Sequence, residues 1–246
     1  MKTIKFFVAA AVAAVFAVSC ANNAGVQVDA PQPTKADADS VSYLIGVNFG
    51  SFIKGNNFAA DLSDLNMAQI KKGMEDFIKA EGNPYSPDFG KQFDIDLDQM
   101  GRIFDAYLQK KSAYEAAVNQ AEGEAFLAKN ALKANVDTTA SGLQYTIIAE
   151  GAEYKVQPQD TVLVNYKGTL IDGTVFDQND STEFVANQVI RGWTEGLGLL
   201  GEGGKATLYI PAKLGYGTRS TGKIGANSTL IFDVEILKVN KYTPAE

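Results

Sequence analysis

Side chains that make and break bonds are scarce in this chain. Among 246 residues there is no histidine and one cysteine, Cys20. Ser-His-Asp triads, Cys-His pairs and His-ligated metal sites are excluded, and a lone thiol forms neither an internal disulfide nor a thiolate zinc cluster. Three short patterns imitate cofactor sites. Gly196-Leu197-Gly198-Leu199-Leu200-Gly201 has G-x-G-x-x-G spacing. It lies late in a short helical segment, with no βαβ unit and no acidic residue closing a second strand, so it does not read as dinucleotide binding. Gly203-Gly204-Lys205 is followed by Ala206, and position 199 is Leu, so a P-loop fails. Asp94, Asp96 and Asp98 begin like a calcium loop, but Gln99 stands where glycine is needed and Asp105 where glutamate is needed. They read as a helix-capping acidic cluster. Two glycosylation sequons, at Asn179 and Asn227, are too short to carry weight. The expectation is a protein without metal or cofactor.

Composition narrows the class further. Hydrophobic residues make up 46% and charged residues 21%, which is ordinary for a globular protein and excludes disorder of the whole chain. The net charge is −7. No strongly basic stretch is present, which argues against nucleic acid, because neutralising phosphates needs clustered Lys and Arg. The first nineteen residues read as a removable leader: Lys2 and Lys5 form a positive start, and an apolar run over 6–18 follows. That run is too short to span a bilayer, which takes about 20 apolar residues. Ala17-Val18-Ser19-Cys20 resembles a bacterial lipobox, with Ala17 in place of the usual Leu. Cys20 is then the expected lipidation site, and acyl chains on it anchor the protein to a membrane, expected to be periplasm-facing in the cell envelope. Residues 20–36, with Pro31 and Pro33, read as a flexible tether.

From Ser40 the apolar period is helical. Val41, Leu44, Ile45, Phe49 and Phe52 share one face, and Gly55 ends it. A second helix starts at Asn66, carries Met67, Ile70, Met74, Phe77 and Ile78, and stops by Gly82. Residues 82–92, with two prolines, form a loop. A third segment, capped by Asp96 and Gln99, runs unbroken to about residue 133. Met100, Ile103, Phe104, Tyr107, Leu108, Tyr114, Val118, Ala121, Ala125, Ala128 and Leu132 mark its stripe, over roughly 55 Å. Two short helices cannot cover that stripe, so a second copy of the chain is expected on it. Residues 37–133 are thus expected to be a helical dimerisation domain. Residues 134–142, polar and small, read as the linker to the next domain.

After Gly142 the period drops to two. Residues 143–148, 161–170, 205–210 and 230–236 alternate as strands; Asp172-Gly173 marks a hairpin, after which Val175-Phe176-Asp177 continues. Residues 193–200 can form one short helix. Strands plus one helix predict an α+β fold, a curved antiparallel sheet wrapped on a helix, over residues 143–240, with 241–246 as a tail.

Five motifs in this half resemble those of the FKBP family of peptidyl-prolyl cis-trans isomerases. They are Val164-Asn165-Tyr166-Lys167-Gly168, Gly173-Thr174-Val175-Phe176-Asp177, Gln188-Val189-Ile190-Arg191-Gly192-Trp193, Leu214-Gly215-Tyr216-Gly217 and Thr229-Leu230-Ile231-Phe232-Asp233-Val234. Tyr43-Leu44-Ile45-Gly46, Glu122-Gly123-Glu124-Ala125-Phe126-Leu127 and Thr139-Ala140-Ser141-Gly142-Leu143-Gln144-Tyr145 resemble the N-terminal domain of the macrophage infectivity potentiator type, whose members are secreted or anchored homodimers. The resemblance implies an FKBP half-barrel and an enzyme that speeds rotation about X–Pro amides in folding polypeptides of the cell envelope, together with chaperone activity. It implies Tyr166, Phe176, Asp177, Trp193, Tyr216 and Phe232 as catalytic residues, and Phe184, Val189, Ile190 and Ile224 as substrate-binding residues. Trp193 would be the floor, Tyr166, Phe176 and Phe232 walls, and Asp177 a polar rim. The Ile190 N–H and Tyr216 hydroxyl would bind substrate carbonyls. The family's frequent histidine after Tyr216 is absent; residues 218–223 are Thr-Arg-Ser-Thr-Gly-Lys. A holdase chaperone with a weak pocket, or an anchored binding module, remains an alternative. A fragment of residues 140–246 is expected to fold alone, as a monomer, and to retain most activity on short peptides.

Overall fold

The computed structural model describes residues 33–95 and 97–244. The leader, Cys20 and Asp96 lie outside them. The chain divides into two compact units that part between Asn56 and Asn57.

The first unit contains α1 (Lys35–Gly55). The helix starts earlier than its apolar pattern, and Lys35 and Ala36, expected in the tether, form its first turn. A capping box is the cause. Asp37 N–H donates to Thr34 Oγ1 at 3.2 Å and Thr34 N–H donates to the Asp37 carboxylate at 2.7 Å, so donors left over at the helix start are satisfied.

The second unit opens with α2 (Met67–Lys79). The Asn66 side chain accepts from the N–H groups of Ala68 and Gln69, as its place before the apolar run predicts. The helix ends at Lys79, before Gly82. Next, α3 spans Met100–Asn130, about 46 Å. Its start differs from the expected one: residues 97–99 make a 3₁₀ turn, and Gln99 occupies the cap without a side-chain hydrogen bond. Of the acidic cluster, Asp94 pairs with Lys72.

Six antiparallel strands follow: β1 (Asp137–Thr138), β2 (Gln144–Ala149), β3 (Thr161–Leu170), β4 (Val175–Val185), β5 (Lys205–Ile210) and β6 (Leu230–Asn240). They form one sheet in the order β1-β2-β5-β6-β3-β4. Two strands correct the sequence reading. β1 lies in the stretch taken as a linker; two exposed edge residues, paired with Tyr145 and Gln144, carry no readable alternation. β4 runs on through residues 178–185, beyond the Val175-Phe176-Asp177 stretch that the sequence marks. Its polar stretch Gln178-Asn179-Asp180-Ser181-Thr182 is held by edge pairing to β3, with a register shift between Val164 and Tyr166. There Ser181, at φ 53, donates its N–H to Asn165 Oδ1.

One short helix, α4 (Arg191–Leu197), crosses the sheet. Gly192 and Gly196 let it lie close: a β-carbon at either would strike Ile210 or Leu208. Between them the core forms, with Leu143, Val162, Val164, Leu197, Leu200, Leu208, Ile210, Leu230 and Ile236 all fully buried. In β6 the alternation expected at Leu230, Phe232, Val234 and Ile236 is realised, all four being buried.

The second half of α3 is tied to this sheet. Asn130, 1% exposed, donates to Gln144 Oε1 at 3.0 Å, and Gln144 donates back to Leu127 O at 2.9 Å. Phe126 packs against Tyr209. Residues 134–142 therefore connect two elements already bonded to each other. The face turned to the sheet domain carries Ala116, Asn119, Gly123, Phe126 and Asn130, of which Gly123 and Asn130 are buried and the others half-buried, whereas Tyr114, Ala121, Ala125, Ala128 and Leu132 of the expected stripe are exposed.

Candidate active site

A cavity of about 580 Å³ opens beside α4. It is lined from β3 by Tyr166, from β4 by Asp177 and Phe184, and from β6 by Phe232. Gln188, Val189, Ile190, Arg191 and Trp193 line it at the entry to α4, and Gly215, Tyr216 and Arg219 from the connection between β5 and β6.

Trp193, 3% exposed, is fixed by three edge-on ring contacts: Tyr166 at 5.2 Å, Phe184 at 5.5 Å and Phe232 at 5.1 Å between centroids. Such arrangements set the positive edge of one ring on the negative face of another. Gly168 makes room for the wall. It lies opposite Asp177 in β4 and Phe232 in β6, and a β-carbon there would strike both the Phe176 and Phe232 rings.

Polar groups are few and placed at the rim. Tyr166 donates its hydroxyl to the Asp177 carboxylate at 2.8 Å. Burial first, then that hydrogen bond and the nearby carboxylate charge, push the Tyr166 phenol up to about 12, so it stays a neutral donor at ordinary pH. Ile190 caps α4 with φ −60 and ψ 149, and its carbonyl accepts from the N–H groups of Trp193 and Thr194. Its own N–H donates to no group among the described residues. The Tyr216 hydroxyl likewise makes no hydrogen bond among the described residues, although Tyr216 acts electrostatically on Tyr166.

Residues 152–237 match the family described as FKBP-type peptidyl-prolyl cis-trans isomerase, and residues 38–147 match the domain amino-terminal to it. The chain is 40% identical to a probable FKBP-type isomerase FkpA of Neisseria meningitidis, over 80% of this chain and 73% of that protein. It is 38% identical to the outer membrane protein MIP of Legionella longbeachae, over 83% and 87%. The crystal structure of FkpA from Escherichia coli superposes with a TM-score of 0.68 at 34% identity, covering 84% of this chain and 98% of that one. This chain is an FKBP-type peptidyl-prolyl cis-trans isomerase. It has a helical N-terminal domain followed by the antiparallel-sheet domain of that family.

Eight of the ten pocket residues expected of this isomerase line the cavity. Two do not. Phe176 stands against Phe232, which does line the cavity, with ring centroids 5.3 Å apart. Ile224 is 6% exposed and belongs to the core cluster. Four lining residues escaped the sequence reading. Gln188 and Arg191 lie within the 188–193 motif and Gly215 beside Tyr216, so position alone points to them. Arg219 had no such signal, because only the path of its loop brings it to the rim. No group of three or more acidic side chains able to hold a metal exists among the described residues.

Proposed function

We propose that the 580 Å³ cavity is where this isomerase turns the X–Pro amide. The observation that carries the reading is the Trp193 floor, locked by three rings, facing a rim on which the Ile190 N–H and Tyr216 hydroxyl stand free. The barrier to rotation is resonance in the C–N bond, about 18–20 kcal/mol. No bond is made or broken, so no base or nucleophile is called for. The twisted amide loses charge separation and leaves water at lower cost than the planar one. An aromatic cavity that fits the twisted form better lowers the barrier. Trp193 receives the proline ring, and Tyr166, Phe184 and Phe232 enclose it. The two free donors bind flanking carbonyls, and the Asp177 carboxylate, oriented by Tyr166, completes the rim. A protease-free isomerisation assay on an X–Pro peptide tests this; a wild-type chain without acceleration overturns it.

The helices support a second activity. Val41, Tyr43, Leu44, Ile45, Met74, Phe77, Ile78, Met100, Ile103, Tyr107 and Tyr114 are all exposed. We propose that, of these exposed apolar residues of the two units, some are covered by a second copy of the chain, as a homodimer, and others hold unfolded polypeptides as a chaperone. Dimer mass in sedimentation and suppression of client aggregation are the tests. Cys20 lies outside the described residues; lipidation there, and a membrane-anchored place in the cell envelope, are proposed from the lipobox-like sequence. Among the described residues no helix is long and apolar enough to cross a membrane. Cys20→Ala should release the protein from membranes; unchanged fractionation refutes the anchor.

A further inference from the structure

The loop that carries Tyr216 is held from behind by α3. Residues 211–229 connect β5 to β6. One side of this connection, at Gly215, Tyr216 and Arg219, lines the cavity. The other side lies on α3. Asn119 Nδ2 donates to Ala226 O at 2.9 Å, and Asn227 Nδ2 donates to Ala116 O at 3.2 Å. Each amide thus holds the backbone across from it.

The clasp reaches the rim through the main chain. Asn227 sits at φ 60, a left-handed conformation that Asn adopts more readily than most residues. Its N–H donates to Gly217 O at 2.8 Å, and the Gly217 N–H donates to Ala212 O at 2.9 Å. Gly217 directly follows Tyr216. Close approach is built in on both sides. A β-carbon at Gly225 would lie 2.7 Å from Asn119 Nδ2, and one at Gly123 would strike the Thr229 side chain. Ala116, Asn119 and Gly123 fall at i, i+3 and i+7, one face of α3.

We propose that Asn119 and Asn227 are positioning residues for the isomerase: they hold the 211–229 loop so that the Tyr216 hydroxyl stands at the cavity rim. The proposal rests on reading that cavity as the isomerase site. Long connections sample several arrangements unless something restrains them. A loop in the productive arrangement only part of the time weakens apparent substrate affinity by that fraction. Releasing the clasp should therefore raise KM for an X–Pro peptide about three- to tenfold, with kcat little changed, because bound substrate reselects the loop.

A second attachment of α3 serves as the control. Asn130 bonds Gln144 at the start of β2, which lines no part of the cavity. The experiment measures isomerisation kinetics and melting temperature on the full chain for N119A, N119D, N227G, N130A, Y216F and N119A combined with Y216F. N119D keeps the shape and removes the donor; N227G keeps the positive φ and removes the amide. The expected result is a raised KM in N119A, N119D and N227G, a lowered melting temperature with unchanged kinetics in N130A, and no added effect of N119A once Tyr216 lacks its hydroxyl. Wild-type kinetics in N119A, an equal KM rise in N130A, or additive losses in the double variant would each overturn the proposal. An inactive wild type would instead overturn the isomerase reading of the cavity.

Discussion

Two stretches of this chain carry equally clear apolar patterns and meet different fates. In β6, Leu230, Phe232, Val234 and Ile236 are each at most 4% exposed. In α1, Val41, Leu44 and Ile45 remain 56%, 58% and 54% exposed. The sheet and α4 supply both sides of a core within one chain, so each side chain loses its water shell. Fully burying an aliphatic side chain is worth about 1.5–3 kcal/mol, a gain that packing within its own unit does not give α1. A periodic pattern therefore reports a face that wants covering, and says nothing about which chain covers it. α3 holds both outcomes along its length. Met100 and Tyr114 in its first half are 50% and 72% exposed, while Gly123 and Asn130 in its second half are buried.

The sharpest test of that contrast is stability. Leu208, fully buried, should cost about 2–5 kcal/mol as Leu208→Ala, through lost transfer energy and the cavity left behind. Ile78, 80% exposed, should change stability by less than about 0.5 kcal/mol as Ile78→Ala. Denaturant titration of both variants measures the gap; comparable losses would mean that the helices have a core of their own. Next in size is the separation of activities. Trp193→Ala should cut peptide turnover roughly 10- to 100-fold, on the order of 1.4–2.8 kcal/mol. Suppression of client aggregation should persist, because the exposed apolar residues sit on the helices. A folded Trp193→Ala chain that loses both activities would merge the two regions into one site.

Truncation sharpens where the regions part. A fragment of residues 140–246 removes Asn130 and Leu127 from Gln144, and β1 from the sheet edge. It should be less stable than a fragment of residues 114–246 by about 1–3 kcal/mol, the cost of leaving a buried polar group unsatisfied. Equal melting curves would show α3 to be dispensable. The smallest effect concerns acid. Burial raises the Asp160 carboxyl, but hydrogen bonds from the Gln157 and Tyr242 N–H groups and the Tyr154 hydroxyl outweigh it and leave the group below its ordinary value of 3.8. A lowered folded pKa stabilises above the unfolded pKa, and that stability is lost as pH falls through the folded value. Stability should thus decline below about pH 4, and Asp160→Asn should flatten the decline while lowering stability at pH 7 by about 1 kcal/mol. An unchanged acid limb in the variant contradicts this role.

The sequence by itself determined the two kinds of domain and named most of the residues that line the cavity. Period 3.6 before Gly142 and period 2 after it follow from how side chains project from helix and strand, and need no tertiary contact to be visible. Tyr166, Trp193, Tyr216 and Phe232 sat in motifs whose order survives in one dimension. Only the tertiary structure decided the rest. Asn119, Gly123 and Asn130 form the docked face of α3 although they are polar or small, because hydrogen bonds and close backbone approach bind that face to the sheet domain. Hydrophobic periodicity cannot register such a face, and it pointed to Ala121, Ala125 and Ala128, which are exposed. β1 and the far half of β4 were hidden for a related reason. Edge strands gain their order from a partner's backbone, so their side chains need not alternate. Where Phe176 and Ile224 come to rest also depends on what packs around each, Phe232 for one and the core for the other.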